Sequence, residues 1–209
     1  MFPFLPILLL FAPIFATAEN TASVAAAFKV AGIVPDVLPY FRPSALAEIT
    51  FPYANGSSTT ISTPGTRIGR NDSQTTPSLT LHGIRSPNHS QRYIAVIIDP
   101  DAPSRLTPTR RSIRHFLGVN LTLSATGSLE NTTAADVVNA YRGPNPPAGS
   151  GPHRYVLFVY DQPEGFGIGS LNVSNIAGWN LTEWAGETGL RPPVAGGFFV
   201  AEVANATVV

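Results

Sequence analysis

Two stretches of this chain, DPDAPSR at residues 99–105 and GSGPHRY at residues 149–155, decide its fold. The first follows a run of β-forming residues at 92–98, and the second leads into another such run at 154–160. Each stretch therefore places charged or hydrogen-bonding side chains at the end of a predicted strand.

Five side chains from these stretches and from the strand between them are candidates for one shared site. Asp99 and Asp101 lie two positions apart, so their Cα atoms are roughly 6–7 Å apart in an extended chain. His153 and Tyr155 share one face of their strand because side chains alternate. If the strands are neighbours, these four residues and His115 converge at one sheet edge. A simple turn with two polar core histidines is the alternative.

The charges of this group predict a small anion pocket. Two carboxylates beside two histidines favour the imidazolium form of both rings. Histidine and tyrosine donors, together with backbone N–H groups of the glycine-rich loop 145–151, would then surround an anion. Arg154 points to the opposite face of its strand.

A second group of charged side chains follows the first stretch. We interpret this group as a solvated loop in which Arg105 can hold a carboxylate, and a basic binding patch is the alternative. Its members are Arg105, Arg110, Arg111 and Arg114.

Further strands are predicted along most of the chain, with few helices. The predicted strands are 45–51, 59–63, 79–82, 92–98, 114–123, 154–160 and 197–203. Helices are predicted at 23–32 and 176–185, with a helical turn within 132–141. Alternation in strand 114–123 puts His115, Leu117, Val119 and Leu121 on one face and Asn120 on the other. This pattern predicts a mainly β fold, and we expect one domain over residues 19–209.

Composition narrows the functional classes. The chain has 209 residues, of which 44% are hydrophobic and 12% charged, so it can bury a sizeable core. The 13 basic and 13 acidic residues balance, and this balance does not favour nucleic acid or an anionic membrane as a partner. With no cysteine, disulfides and thiolate metal sites are excluded. We expect no cofactor.

Residues 1–18 have the pattern of a secretory signal peptide. An apolar run at 4–15 precedes the small-residue motif Ala16-Thr17-Ala18, which predicts cleavage before Glu19. No lysine or arginine precedes the apolar run, and a retained membrane anchor is the alternative. The run is too short and too rich in proline for a good spanning helix. We therefore expect a secreted or vacuolar protein without a transmembrane span.

The chain also carries Asn-x-Ser/Thr triplets, which are acceptor sites for N-glycosylation in secreted proteins. The candidate asparagines are Asn55, Asn71, Asn88, Asn120, Asn131, Asn172, Asn180 and Asn205.

The two stretches resemble the signature segments of the phosphatidylethanolamine-binding protein family, which also includes Raf kinase inhibitor proteins, plant flowering regulators and fungal carboxypeptidase Y inhibitors. Residues 33–44, 114–117, 141–147 and 193–199 resemble other segments of the same family. The resemblance covers essentially the whole chain after residue 18.

This resemblance implies a fold, a pocket and a range of functions. The family fold is a central antiparallel sheet packed on a smaller one, with short peripheral helices. The family binds anionic head groups and phosphorylated ligands without established catalytic activity, and the Ala102–Pro103 bond is expected to be cis. Ile113 replaces an aromatic residue that commonly lines the pocket. The implied pocket residues are Asp99, Asp101, His115, Pro147, His153 and Tyr155.

Three functional hypotheses follow. The first is a secreted, non-enzymatic binding protein with a pocket for a small anion or a phospholipid head group. The second is an inhibitor or regulator of a serine carboxypeptidase. Inhibitors of this kind rely partly on their own N-terminus, and cleavage before Glu19 would create a different one.

The third hypothesis is an enzyme, and the sequence argues against it. Asp99 and Asp101 lie in one short segment and cannot flank a glycosidic bond, which needs carboxylates ~5–10 Å apart on opposite sides. The chain has neither an H-E-x-x-H zinc motif nor a G-x-S-x-G nucleophile motif.

Overall fold

The structure is a computed structural model that describes residues 19–84 and 90–203. The predicted signal peptide at 1–18 and the sequons at Asn88 and Asn205 lie outside these ranges. The strands within them are β1 (Leu46–Pro52), β2 (Ser58–Ile61), β3 (Thr66–Arg67), β4 (Ser78–His82), β5 (Tyr93–Asp99), β6 (Ile113–Leu123), β7 (Leu129–Glu130), β8 (Val137–Asn139), β9 (His153–Asp161) and β10 (Ala195–Ala201). The helices are α1 (Thr21–Val30), α2 (Ile33–Asp36) and α3 (Leu181–Glu187), with 3₁₀ turns at Asn71–Ser73 and Ala134–Asp136.

These strands form two sheets in the described part of the chain. The small sheet has the order β2-β1-β4, and the large sheet has the order β3-β10-β9-β5-β6-β7, with β8 also paired to β6. All pairings are antiparallel except the one between β10 and β3. The predicted mainly β architecture, a large sheet packed on a smaller one with short helices, is confirmed.

The large sheet is covered on both faces, which explains why β5 is apolar along its length. Tyr93, Ala95 and Ile97 of β5 pack toward the small sheet. The alternate residues of β5, represented by Ile94 and Val96, pack toward α1 and α3. A strand buried on both faces reads as a continuous apolar run, and β5 is buried at every position.

Helix α1 begins two residues earlier than the sequence predicts. The Asn20 side chain accepts hydrogen bonds from the backbone N–H groups of Ala22 and Ser23, both at 3.0 Å, so Asn20 is the N-cap. The helix buries Val24 and Phe28 against the large sheet. None of the helices in residues 19–84 and 90–203 is long and apolar enough to cross a membrane.

The predicted helix at 176–185 is wrong in its first half. Only Leu181–Glu187 is helical, with Asn180 as its N-cap. The residues before it run beside the start of β6 instead: Arg114 donates its backbone N–H to the Ile176 carbonyl at 2.7 Å, and Trp179 donates to Ser112 at 3.1 Å. Tertiary pairing therefore overrides the helical pattern there.

The predicted alternation along β6 is also wrong. Leu117 and Val119 pack on the helix side of the sheet, whereas Leu121 packs on the small-sheet side. The pairing of β5 with β6 shifts register twice, and Asn120 has a positive φ of 53°. An extra residue in one strand moves every later side chain to the opposite face.

Candidate functional site

Three neighbouring strands bring the predicted site residues to one end of the large sheet. Asp99 ends β5, His153 begins β9, and His115 lies near the start of β6. β5 is paired to both of the other strands, so the order along the sheet is β9-β5-β6. The predicted convergence of these side chains at one sheet edge is therefore observed. The buried side chains that converge there are Asp99, Asp101, His115, His153 and Tyr155.

His153 is held between a carboxylate and a hydroxyl. Its Nδ1 lies 2.8 Å from Asp99 Oδ2, and its Nε2 lies 3.1 Å from Ser150 Oγ. The Ser150 hydroxyl donates its own proton to the Pro147 carbonyl at 2.7 Å. In the imidazolium form, both ring nitrogens of His153 donate, one to Asp99 and one to the Ser150 oxygen, and this arrangement is compatible with the Ser150 bond to Pro147.

Electrostatics favour the same form of His153. Its side chain is only 1% exposed, and burial opposes the charge, but the Asp99 hydrogen bond and the charges of Asp99 and Asp101 outweigh burial. The net effect raises the pKa of His153 above its ordinary value. The raised pKa favours the protonated ring expected for this histidine.

The same expectation is wrong for His115. Burial lowers its pKa and outweighs the opposing influence of the Arg142 carbonyl and the Asp99 charge. Nδ1 of His115 lies 2.6 Å from that carbonyl oxygen and donates to it. In the neutral ring, Nε2 is then an unprotonated acceptor. Its ring meets the Tyr155 ring edge to face, with centroids 5.0 Å apart.

The Tyr155 hydroxyl is buried, and no described residue accepts its proton. Among the described residues, none makes a well-formed hydrogen bond with it. Burial and the Asp99 charge raise the pKa of Tyr155, and the nearby Asn145 backbone opposes this only weakly, so the phenol keeps its proton. Its ring is fixed by stacking on Phe199 at 5.2 Å. Buried polar groups are rarely left unsatisfied, so this enclosed hydroxyl needs an explanation.

Asp101 faces away from the histidines. Its Oδ2 accepts from the Arg154 backbone N–H at 2.8 Å and from Arg154 Nε at 2.9 Å, and its Oδ1 pairs with Arg154 Nη2. Arg154 in turn donates to the Ala31 carbonyl at 2.7 Å. The predicted pocket role of Asp101 is thus reduced to its charge, because both carboxylate oxygens are engaged. Pro147 is exposed and joins the site through its carbonyl bond to Ser150.

Asp99, His153 and Ser150 have the connectivity of a serine-hydrolase triad, but the protonation state does not suit a nucleophile. A general base must be a neutral imidazole that takes the hydroxyl proton. Here the raised pKa of His153 favours the charged ring, and the Ser150 hydroxyl has the Pro147 carbonyl as an alternative acceptor, so both features disfavour the role of general base. In residues 19–84 and 90–203, no group of three or more metal-ligating side chains could hold a metal ion.

Sequence reasoning missed three contributors to the site. They are Ser150, the guanidinium of Arg154 and the carbonyl of Arg142. Ser150 lies three residues before His153 in the same quoted stretch, so that spacing could have indicated it. The Ala102–Pro103 bond is cis, as the resemblance implies.

Comparisons with known proteins agree with the observed fold. A family model described as phosphatidylethanolamine-binding protein matches residues 50–199. The carboxypeptidase Y inhibitor of Saccharomyces cerevisiae is 29% identical over 206 residues, covering 84% of this chain and 93% of that protein.

Solved structures show the same likeness. The crystal structure of carboxypeptidase Y inhibitor complexed with its cognate proteinase superposes with a TM-score of 0.73 at 27% identity, covering 90% of this chain and 98% of the inhibitor. A phosphatidylethanolamine-binding protein from Plasmodium vivax has a TM-score of 0.65 at 17% identity, covering 86% of this chain and 97% of its own, and this shows likeness of fold.

Proposed function

This chain belongs to the phosphatidylethanolamine-binding protein family, and we propose that it is a non-enzymatic binding protein with a pocket for a small anion, such as a phosphate or the phosphate of a phospholipid head group. The observation that carries the proposal is the buried Tyr155 hydroxyl, which has no hydrogen-bond partner among the described residues, beside two histidines. His153 supplies a positive charge that Asp99 maintains.

The donors at this site fit an oxyanion better than a neutral ligand. Tyr155 offers an O–H group. The His153 ring contacts the Ser150 hydroxyl and, as an imidazolium, contributes positive charge to the site. His115 is neutral near pH 7 and becomes a further donor when acid or a bound anion protonates it. Hydrogen bonds to charged groups contribute about 1.5–3 kcal/mol each.

We expect Tyr155→Phe to weaken the binding of inorganic phosphate by about tenfold to a hundredfold, the equivalent of one charge-assisted hydrogen bond. Isothermal titration calorimetry would measure the dissociation constant. Binding by the unaltered protein should weaken as pH rises through the histidine range, because His115 and then His153 lose their protons.

Tyr160→Phe is a matched control for this experiment. Tyr160 lies on the same strand but on the opposite face, and its buried hydroxyl also lacks a hydrogen-bond partner among the residues described. Removing an unsatisfied buried hydroxyl should not destabilise the fold in either variant. Equal loss of phosphate affinity in both variants, or no saturable binding at all, would rule out the pocket.

A second function, inhibition of a serine carboxypeptidase, is favoured by the comparison with an inhibitor solved in complex with its proteinase. That likeness spans nearly the whole inhibitor, at 98% of its length. We expect the chain beginning at Glu19 to inhibit a serine carboxypeptidase stoichiometrically, measured as loss of peptide hydrolysis against inhibitor concentration.

The Tyr155→Phe variant separates the two functions. If inhibition uses an exposed surface, this variant should inhibit as well as the unaltered protein, because the hydroxyl is buried. Absence of inhibition at a large molar excess would leave ligand binding as the function. Cleavage of the peptide by the chain itself would contradict the non-enzymatic assignment.

We also propose that the protein enters the secretory pathway and carries N-glycans, which the apolar leader and the sequons support. Treatment with an N-glycosidase should increase its gel mobility to that of the bare chain. Unchanged mobility of protein taken from its natural source would contradict this.

Among the sequons, Asn120 is expected to remain unmodified. Its Nδ2 donates to Asp136 at 3.0 Å and its Oδ1 accepts from Gln162 at 2.6 Å, so a glycan on Nδ2 would displace a buried carboxylate contact. Asn55 and Asn172 are exposed and use their Oδ1 atoms in local turns. Mass spectrometry of glycopeptides would test this difference.

A further inference from the structure

Arg114 is a buried arginine with an incomplete set of partners. Only 1% of the residue is exposed. Its Nε donates to Asn139, and its Nη2 donates to the Asn172 carbonyl at 3.0 Å. Nη1 has no hydrogen-bond partner among the residues described. The interpretation of Arg114 as part of a solvated loop is therefore wrong, because β6 carries this side chain inward onto Trp179, whose ring centroid is 5.0 Å from Arg114 Cζ.

The charge of Arg114 is not neutralised by an ion pair in the described part of the chain. Arg154, by contrast, is buried to a similar degree and pairs with Asp101. Burial lowers the pKa of Arg114, and no carboxylate charge offsets that effect. The guanidinium nevertheless stays protonated. Buried charges in proteins are normally paired. Because Nη1 is enclosed, a counter-ion would have to approach the guanidinium from the cavity that Arg114 lines.

Arg114 lines an open cavity of about 270 Å³ between the segment 170–180 and α3. Trp179 and Trp184 provide apolar walls, and the mouth carries the exposed carboxylates of Glu183 and Glu187. Glu187 is held in place by a 2.7 Å hydrogen bond from Ser170. The volume is close to the lower end of the range for small-molecule sites.

We propose that this cavity is a second binding site, for a small molecule that presents a carboxylate or phosphate group to Arg114. The carboxylates at the mouth favour a ligand whose remaining part is neutral or positively charged, since a second anionic group would be repelled there. Arg114 and His115 are adjacent on β6, and their side chains lie on opposite faces of the sheet. Arg114 packs against Trp179, and His115 packs against Tyr155. The site is thus separate from the pocket proposed above and does not depend on it.

The chain offers a specific reporter for this cavity. It contains two tryptophans, and both line the cavity. Intrinsic tryptophan fluorescence, titrated with sodium acetate and with sodium phosphate at constant ionic strength, should change saturably. A response to both anions indicates recognition of any oxyanion, and a response to one of them identifies its class. No saturable change with either anion would overturn the proposal.

Three variants make the test specific. Arg114→Leu should weaken the fluorescence-detected binding at least about tenfold, because the charged hydrogen bonds to the anion are lost. Ala177→Leu fills the cavity without altering Arg114 and should also abolish the response, which covers the case in which Arg114→Leu does not fold. Glu183→Gln should strengthen binding by about twofold to fivefold, because an exposed repulsive charge is removed.

Tyr155→Phe distinguishes this site from the other one. Its hydroxyl lies on the opposite face of the sheet, so the fluorescence response should be unchanged even if calorimetric phosphate binding is reduced. Loss of the fluorescence response in Tyr155→Phe, or its persistence in Ala177→Leu, would show that the tryptophans report on some other event and would refute the second site.

Discussion

Replacing Arg154 with Met is expected to lower the free energy of unfolding by about 3–5 kcal/mol, because the buried Asp101 carboxylate then loses its counter-ion. Both residues are buried, and Arg154 makes three of the hydrogen bonds that Asp101 accepts. The backbone N–H bond survives in the variant, but the two side-chain bonds do not. Urea denaturation followed by circular dichroism would measure the change.

Two further variants test this explanation. Arg67 forms an ion pair with Glu202, but their side chains are 65% and 44% exposed, so Arg67→Met should change stability by less than about 1 kcal/mol. Adding Asp101→Asn to Arg154→Met removes the unpaired charge and should recover part of the loss. If the double variant is less stable than the sum of the two single changes predicts, the buried charge is not the cause.

Asp99→Asn is expected to return the pKa of His153 toward or below its ordinary value and to destabilise the fold by about 1.5–3 kcal/mol in mildly acidic solution, where the charged hydrogen bond is present. The Asp99–His153 contact is 2.8 Å long and buried. Titration of the histidine ring signals by NMR would measure the pKa directly.

The pH dependence of this effect has a definite sign. Because the folded-state pKa of His153 is raised, the pair contributes stability fully below about pH 6.5 and loses it as pH rises through the folded-state pKa. His115 behaves oppositely: its pKa is lowered, so its protonation below about pH 6.5 reduces stability. The difference between the unaltered protein and Asp99→Asn should therefore shrink as pH rises above neutrality. A difference that does not vary with pH would contradict the ionic character of the pair.

Sequence patterns identified the site because they concern strand ends. The β-forming runs before Asp99 and after Gly151 predicted two strands and convergence only if these strands were neighbours, and pairing of β5 with β9 meets that condition. The orientation of the Asp101 carboxylate could not be predicted from strand ends. Its orientation depends on Arg154, which the alternation rule assigned correctly to the opposite face but without a partner.

The errors have physical causes that short-range patterns do not contain. The charge of His115 depends on how deeply its ring is buried, which is a property of the surrounding packing. The faces of β6 depend on register shifts against β5. Gly118 of β6 adjoins one shift, but no glycine or proline of β6 adjoins the other. Arg114 was grouped with nearby exposed arginines because sequence proximity does not reveal that its strand position faces Trp179.

The Ala31 carbonyl oxygen accepts hydrogen bonds from both Arg105 and Arg154, each at 2.7 Å, and these donors lie 74 and 123 positions away along the chain. These two hydrogen bonds connect the end of α1 to both quoted stretches. The acceptor is a main-chain oxygen, which any amino acid at position 31 would supply. This contact therefore holds the N-terminal segment beside the site without depending on the side chain at position 31. Its other anchors are side chains, since Val24 and Phe28 of α1 are buried against the large sheet.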